Sequence, residues 1–301
     1  MMCLIAVLED ENKMKAKKKV VIALAAILIS CGVIGGVYMW QNSGEPMELK
    51  IVSFNIRAHD DGVVNSIMER APRLASVIEP YEPDIMGFQE FSPMWEKHIE
   101  EYYSDTYDMF NKYRSETSDM ESCPILWRKD KFKCIDTGYF WLSDTPEEES
   151  KGWDEKYDCY RICEYVILKA KETNTKFVVM NTHFGFGDEG QVKSVELLHE
   201  YSKKISNYPT IVLGDFNMTP DTPAYERMTE LFTDVNAVTA KDWSQTYHGY
   251  NPELNTVKHI DYCFVDEKVV PLGQEIVDTL INEKYYPSDH YGLYTTVRLG
   301  E

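Results

Sequence analysis

The chain has 301 residues, with 31 Lys and Arg against 50 Asp and Glu, a formal net charge of −19, and is 44% hydrophobic and 13% aromatic. This supplies a large core for one or two domains, and the acidity persists from Met47 onward, where 26 basic residues face 46 acidic ones. Tight non-specific binding to duplex nucleic acid wants the opposite sign and is disfavoured; a small or neutral-headed substrate in a local cationic or metal-lined pocket is favoured.

At the amino terminus Lys15, Lys17, Lys18 and Lys19 precede an uncharged run over 20–40 that ends with aromatic Tyr38 and Trp40. The run is long enough to cross a bilayer, and its basic flank predicts a cytoplasmic N-terminus with the following domain exported to a bacterial cell surface. A cleaved signal peptide or lipoprotein-type processing at Cys31, after Leu28-Ile-Ser, are the alternatives. Residues 32–40 stay apolar past Cys31, which favours an uncleaved anchor. Met14 would be a cleaner start than Met1. The expected organisation is a basic cytoplasmic segment at 1–19, a membrane segment at 20–40, a polar linker at 41–46 and one catalytic domain, expected to be monomeric, at 47–301.

The seven cysteines include no CxxC pair, so a thiolate zinc site is not expected. Cys159 and Cys163 could pair outside the cell, but a strand around Cys163 argues against it.

In chain order, residues 49–55 read as a strand ending on Asn55. Apolar residues at Ile67, Met68, Leu74, Ala75 and Ile78 have helical spacing, with a break or a helix start expected near Ala71 because of Pro72. Residues 83–90 form a strand ending on Glu90, and Ser92-Pro93 starts a helix to about Tyr103. Residues 122–128 and 132–136 are expected as antiparallel neighbours, and 143–157 as a long charged loop. Strands follow at 161–169 and 176–183, and a helix at 191–205. Next comes the apolar strand 210–213, closed by Gly214-Asp215-Phe216-Asn217. Alternation points Asp215 and Asn217 the same way out of the sheet end, where ligand sites of α/β folds gather. A helix at 222–231, an aromatic loop at 241–255 and strands at 259–265 and 291–298 complete the chain. The class is α/β or α+β with a mixed sheet.

Six motifs thus sit at strand ends: Asn55-Ile-Arg57, Gln89-Glu90, Asn181-Thr182-His183, Gly214-Asp215-Phe-Asn217, His259-Ile-Asp261 and Ser288-Asp289-His290. Singly each fits a turn, a cap or a structural histidine. Together they collect carboxylates, histidines and amides, a donor set suited to hard cations such as Mg²⁺, Mn²⁺ or Ca²⁺.

The ordered set resembles the endonuclease/exonuclease/phosphatase superfamily, which includes deoxyribonuclease I, exonuclease III, bacterial sphingomyelinases and inositol-polyphosphate 5-phosphatases. The resemblance covers about 47–301 and implies a four-layer α/β sandwich, two packed mixed sheets flanked by helices, with metal-dependent phosphoester hydrolysis. It places Asn55, Glu90 and Asp289 at the metal, Glu90 as principal ligand, and gives Asp215 the orienting or deprotonation of the attacking water. Asn217 and His183 are implied as phosphate-binding groups, His290 as the stabiliser of phosphoryl charge and Asp261 as its hydrogen-bonding partner. Arg57 and Arg161 are implied phosphate contacts. The stretch from Trp141 to Arg161 is similar to bacterial hydrolases of the superfamily, but Glu164-Tyr165 stands where many of those have Thr-Trp.

The chemistry agrees with these roles. A divalent cation polarises a phosphoryl group, Asp215 can hold a water in line, and an imidazolium at His290 supplies positive charge where negative charge builds. A small phosphoester, lipid head group or sugar phosphate is expected ahead of nucleic acid. A nuclease, or a non-catalytic binding protein keeping the fold, is the alternative.

Overall fold

The first strand, β1 (Met47–Asn55), shows how the domain is layered. Leu49 and Ile51 point to one side, where they join a core shared with residues of a second sheet. Val52 and Phe54 point to the other, among residues of two helices. A strand apolar on both faces is one buried in the middle of a layered structure.

The computed structural model describes residues 46–251, 253, 258–277 and 285–300, all within the compact unit Glu45–Glu301. The basic segment, the apolar run over 20–40 and the linker up to residue 45 lie outside the described residues. Among the described residues no helix is long and apolar enough to cross a membrane.

After β1 come α1 (Ile67–Ile78), β2 (Ile85–Gln89), α2 (Pro93–Tyr103), β3 (Tyr107–Phe110), β4 (Ile125–Arg128), β5 (Phe132–Trp141), β6 (Ile162–Ala170) and β7 (Lys176–His183). The chain continues through α3 (Asp188–Ile205), β8 (Thr210–Asp215), α4 (Pro223–Leu231), β9 (Thr233–Asp234), α5 (Val235–Val238), β10 (Asp261–Val265), β11 (Val269–Ile276) and β12 (Leu293–Leu299). They form two six-stranded sheets, ordered β11-β12-β1-β2-β4-β3 and β5-β6-β7-β8-β10-β9. Both are mixed: β1 runs parallel to β2 and β7 parallel to β8, with antiparallel pairs around them. Ile51, Ile85 and Ile125 of the first sheet meet Val166, Val179, Leu213 and Cys263 of the second. Leu74, Trp95 and Ile99 of α1 and α2 cover the outside of the first sheet; Val195, Leu198 and Met228 of α3 and α4 cover the outside of the second. The result is the expected four-layer α/β sandwich, with each fully buried large apolar side chain contributing roughly 1.5–3 kcal/mol.

Two local expectations change. Residues 122–128 and 132–136 are not neighbours: β4 pairs with β2 and β3 in the first sheet, whereas β5 pairs with β6 in the second. The tight turn after β4 carries the chain across the sandwich, which a hairpin-like spacing conceals. Pro72 lies inside α1 without breaking it. Its missing N–H leaves the Met68 carbonyl without the usual helical partner, and Ile67 and Ala71 before it and Leu74 and Ile78 after it hold the helix on the first sheet. Cys159 and Cys163 are free thiols, with Cys163 in a strand as expected.

Candidate active site

The period of two that builds the core also builds the site. On β1, Leu49 and Ile51 are followed on the same face by Ser53 and Asn55; on β8, Ile211 and Leu213 are followed by Asp215; on β7, Phe177 and Val179 by Asn181 and His183. The inner faces of both sheets therefore turn from apolar to polar at one end of the sandwich. Register brings these residues side by side, with His183 opposite Asp215 across the β7–β8 pair and Asp261 opposite Asp215 across β8–β10. Gln89 and Asn181 lock the sheets together just beneath: Gln89 Nε2 donates to Asn181 Oδ1 at 2.7 Å, and Asn181 Nδ2 donates to the Phe88 carbonyl at 2.7 Å. Gly214 is required by this closeness, since a Cβ there would stand 2.3 Å from the Thr182 carbonyl oxygen.

The polar end opens into a cavity of about 500 Å³ lined by Arg57, Glu90, Arg161, His183, Asp215, Asn217, Asp289 and His290. Asn55 and Asp261 stand directly behind these residues. Asn55 Nδ2 donates to Glu90 Oε1 at 3.1 Å and to Asp215 Oδ2 at 3.0 Å, while its oxygen accepts the Arg57 N–H at 3.0 Å. Its amide, not its oxygen, thus faces the carboxylates. Glu90 Oε2 accepts the Ala58 N–H at 3.0 Å. Arg57, Glu90 and Asn217 all hold positive φ, at 63°, 56° and 48°, a strained conformation for non-glycine residues that clusters at functional sites.

Asp215 is buried, and Oδ1 accepts the Asn217 N–H at 2.9 Å. Burial, with the charge of Asp261 behind it, pushes its carboxyl up to about 7. His290 Nδ1 lies 3.0 Å from Asp261 Oδ2, and its Nε2 lies 3.7 Å from Asp215 Oδ2. Burial alone would lower the imidazole, but the charge and hydrogen bond of Asp261, with Asp215 and Asp289 nearby, raise it to about 10. His290 is therefore an imidazolium. His183 is the opposite case: burial, with Arg161 and Arg114 nearby, holds it well below the ordinary histidine range, so its ring is neutral. Its Nε2 lies 2.9 Å from Asn217 Nδ2 and 3.5 Å from Asp215 Oδ2.

Two sets of donors have the chemistry to hold a cation. Glu90 and Asp289 both approach Arg57, which lies 3.8 Å from Glu90 Oε2 and 3.8 Å from Asp289 Oδ2. Two carboxylates sharing one guanidinium mark a place where positive charge is needed, and their hard oxygens fit Mg²⁺, Mn²⁺ or Ca²⁺. Asp215, Asp261 and His290 also offer ligand atoms within 4.8 Å of one another. There, however, a protonated His290 is itself the cation, so the Glu90–Asp289 side fits better.

Of the expected phosphate contacts, Arg57 is also paired with Asp61 at 2.9 Å, and Arg161 with Asp154 at 2.9 Å. Both still line the cavity. Sequence reading passed over Arg114, Glu121, Lys156, Tyr157, Phe186, Tyr247 and Lys258, which line it too. Tyr247 packs edge-on against His290, ring centroids 5.0 Å apart. Thr246 accepts the Asp261 N–H at 3.1 Å. The aromatic loop over 241–255 carried a hint of this; for Arg114 and Glu121, inside a loop, no pattern could have pointed to them.

The Endonuclease/Exonuclease/phosphatase family pattern matches residues 52–290, a stretch that takes in every expected site residue. The chain belongs to this family. Its fold is similar to that of a family protein from Bacteroides thetaiotaomicron, with a TM-score of 0.76, 27% identity, and 85% of this chain and 97% of that one covered. It is likewise similar to a mannosyl-6-phosphatase of the same organism, with a TM-score of 0.74, 28% identity and coverage of 83% and 99%. An uncharacterized protein of Acanthamoeba polyphaga mimivirus is 32% identical over 159 residues, 49% of this chain and 58% of that protein. A carbon catabolite repressor protein 4 homolog of Arabidopsis thaliana is 26% identical over 48% of this chain and 31% of its own length. The chain thus spans 58% of the length of the first of these curated relatives and 31% of the second. The family hydrolyses phosphoester bonds.

Proposed function

We propose that this protein is a divalent-cation-dependent hydrolase of a small phosphoester, a sugar phosphate or a lipid head group ahead of nucleic acid. The observation that carries the reading is the pairing, on one cavity floor, of a carboxyl raised to about 7 at Asp215 with an imidazolium at His290. A proton acceptor and a fixed positive charge side by side serve an attack of water on phosphorus.

Asp215, aligned by Asn55 and the Asn217 N–H, takes the proton of the attacking water. His290, kept cationic by Asp261, offsets the charge that builds on the phosphoryl oxygens. Neutral His183 and Asn217, hydrogen-bonded to each other at 2.9 Å, flank the phosphoryl position, and Arg161 lends long-range positive charge. Glu90 and Asp289 would hold the cation, with Asn55 orienting Glu90. When bound, that cation supplies Lewis-acid polarisation of the phosphoryl group and stabilises the leaving oxygen. The cavity of about 500 Å³ and the acidic surface both suit a small substrate. Similarity to a mannosyl-6-phosphatase over most of both chains supports the phosphomonoester choice. The basic flank and apolar run over 15–40 favour a protein anchored in the membrane with its catalytic domain outside.

The test is hydrolysis of p-nitrophenyl phosphate, hexose 6-phosphates, sphingomyelin, inositol phosphates and plasmid DNA with Mg²⁺, Mn²⁺ or Ca²⁺. Chelation should abolish turnover of a small phosphoester and the cation should restore it. Turnover insensitive to chelation, or confined to DNA, would overturn the reading. Membrane fractionation of expressing cells, with protease added outside, tests the anchor.

A further inference from the structure

One wall of the cavity is made by side chains that the phosphoryl chemistry above does not use: Arg114, Glu121, Lys156, Tyr157 and Phe186. Arg114 and Glu121 sit near the two ends of the 111–123 loop, between β3 and β4, and the loop is fastened at both. Glu164 of β6 accepts the Lys112 N–H at 2.9 Å and the Cys123 N–H at 2.8 Å. The Arg114 N–H donates to the Glu121 carbonyl at 2.8 Å, and Trp141 Nε1 donates to the Arg114 carbonyl at 2.8 Å. This is a built wall rather than a loose loop, and it uses the Glu164 that departs from the Thr-Trp pattern.

The wall pairs a donor with an acceptor. Arg114 Nη1 lies 3.1 Å from Glu121 Oε2, with side chains only 8% and 17% exposed. Arg114 Nη2 also pairs with Asp119, so the guanidinium is fixed between two carboxylates. Facing the same cavity, Tyr157 and Phe186 meet edge to face with centroids 5.6 Å apart, and Lys156 Nζ caps both rings at 4.9 and 4.4 Å. A carboxylate and a guanidinium side by side match the donor and acceptor of vicinal hydroxyls, and ring faces match the apolar C–H face of a pyranose. Glu121 also opposes a second phosphate there, which separates a polyol from a polyanion.

Resting on the phosphoester reading above, we propose that this wall is the subsite for the polyhydroxylated leaving group of a sugar phosphate. Arg114 and Glu121 take two neighbouring hydroxyls, and Tyr157 and Phe186 cover the ring.

The experiment compares kcat/KM for a hexose 6-phosphate with that for p-nitrophenyl phosphate, which has no hydroxyls, in the purified Mg²⁺-loaded protein. Wild type should prefer the hexose phosphate. Glu121→Gln and Tyr157→Ala should each cut that preference by about 10-fold or more, chiefly through KM, and Tyr157→Phe should restore most of it. Melting temperatures identify any variant that fails to fold, and the Tyr157 pair then carries the test. Equal losses on both substrates, or no preference in wild type while p-nitrophenyl phosphate is hydrolysed, would overturn the subsite and leave the hydrolase standing. Turnover of neither would overturn both.

Discussion

His290 Nδ1 lies 3.0 Å from Asp261 Oδ2, and the two come from different sheets: His290 from the approach to β12, Asp261 from the start of β10. The contact ties the two sheets at the site and keeps the imidazole charged. A group raised in the folded state contributes stability that is complete below its unfolded value, near 6.5, and lost as pH rises through its folded value, here about 10. In protein freed of divalent ions, the His290 ring resonances should therefore titrate far above the ordinary histidine range. Asp261→Asn should bring the midpoint down by several units and lower the melting temperature at pH 6 more than at pH 10. An unchanged midpoint would show that Asp261 does not set the charge.

Asp215→Asn keeps the hydrogen bond from the Asn217 N–H but removes the proton acceptor. Because general-base assistance contributes roughly 10²–10⁴-fold, kcat should fall at least about 100-fold with the melting temperature unchanged or raised, since a carboxyl pushed up by burial is lost. Activity within about 3-fold of wild type would assign the base elsewhere.

Glu164 is fully buried and accepts two backbone N–H groups. Glu164→Ala strands both donors, each worth about 1–3 kcal/mol when left unsatisfied, so a drop of about 2–5 kcal/mol in urea unfolding is expected. Burial pushes the Glu164 carboxyl well above its ordinary range. The folded state then binds the proton more tightly than the unfolded one, and stability falls as pH rises past about 4.5. The margin of wild type over Glu164→Gln should accordingly shrink from pH 4.5 to neutral pH; a margin that widens would contradict this.

Arg70 is wholly buried, yet its partners are carbonyls: Ile56 at 2.5 Å, His59 at 2.7 Å, Asn65 at 2.9 Å and Arg57 at 3.1 Å. It shapes the loop that carries Arg57 and packs over Trp95 at 5.1 Å. Hydrogen bonds to a charged donor are worth about 1.5–3 kcal/mol each, so Arg70→Met should destabilise by about 3 kcal/mol or more, read by thermal unfolding. Arg70→Lys should recover only part, lacking the planar fork. Equal stability of all three proteins would refute the bracing role.

The strands were legible in the sequence because each core strand switches from apolar to polar at its end, and Asn55, Glu90, His183, Asp215, Asp261 and Asp289-His290 stand at those switches. That periodicity is local, so the chain alone determined which residues face inward and which polar groups end each strand. It could not determine that 122–128 and 132–136 part into different sheets, because both are apolar strands a turn apart and only long-range pairing separates them. Nor did it determine that α1 runs through Pro72, which depends on Ile67 and Ala71 before it and Leu74 and Ile78 after it packing on the first sheet. The tertiary structure alone decided the wall of Arg114 and Glu121. Those two sit in a loop with no period, and what brings them to the cavity is Glu164, far along the chain, holding the loop at both ends. The charge state of the site was likewise a tertiary outcome: Asp215, Asp261 and His290 acquire their proton affinities from being buried together, and the sequence carries the residues but not the burial.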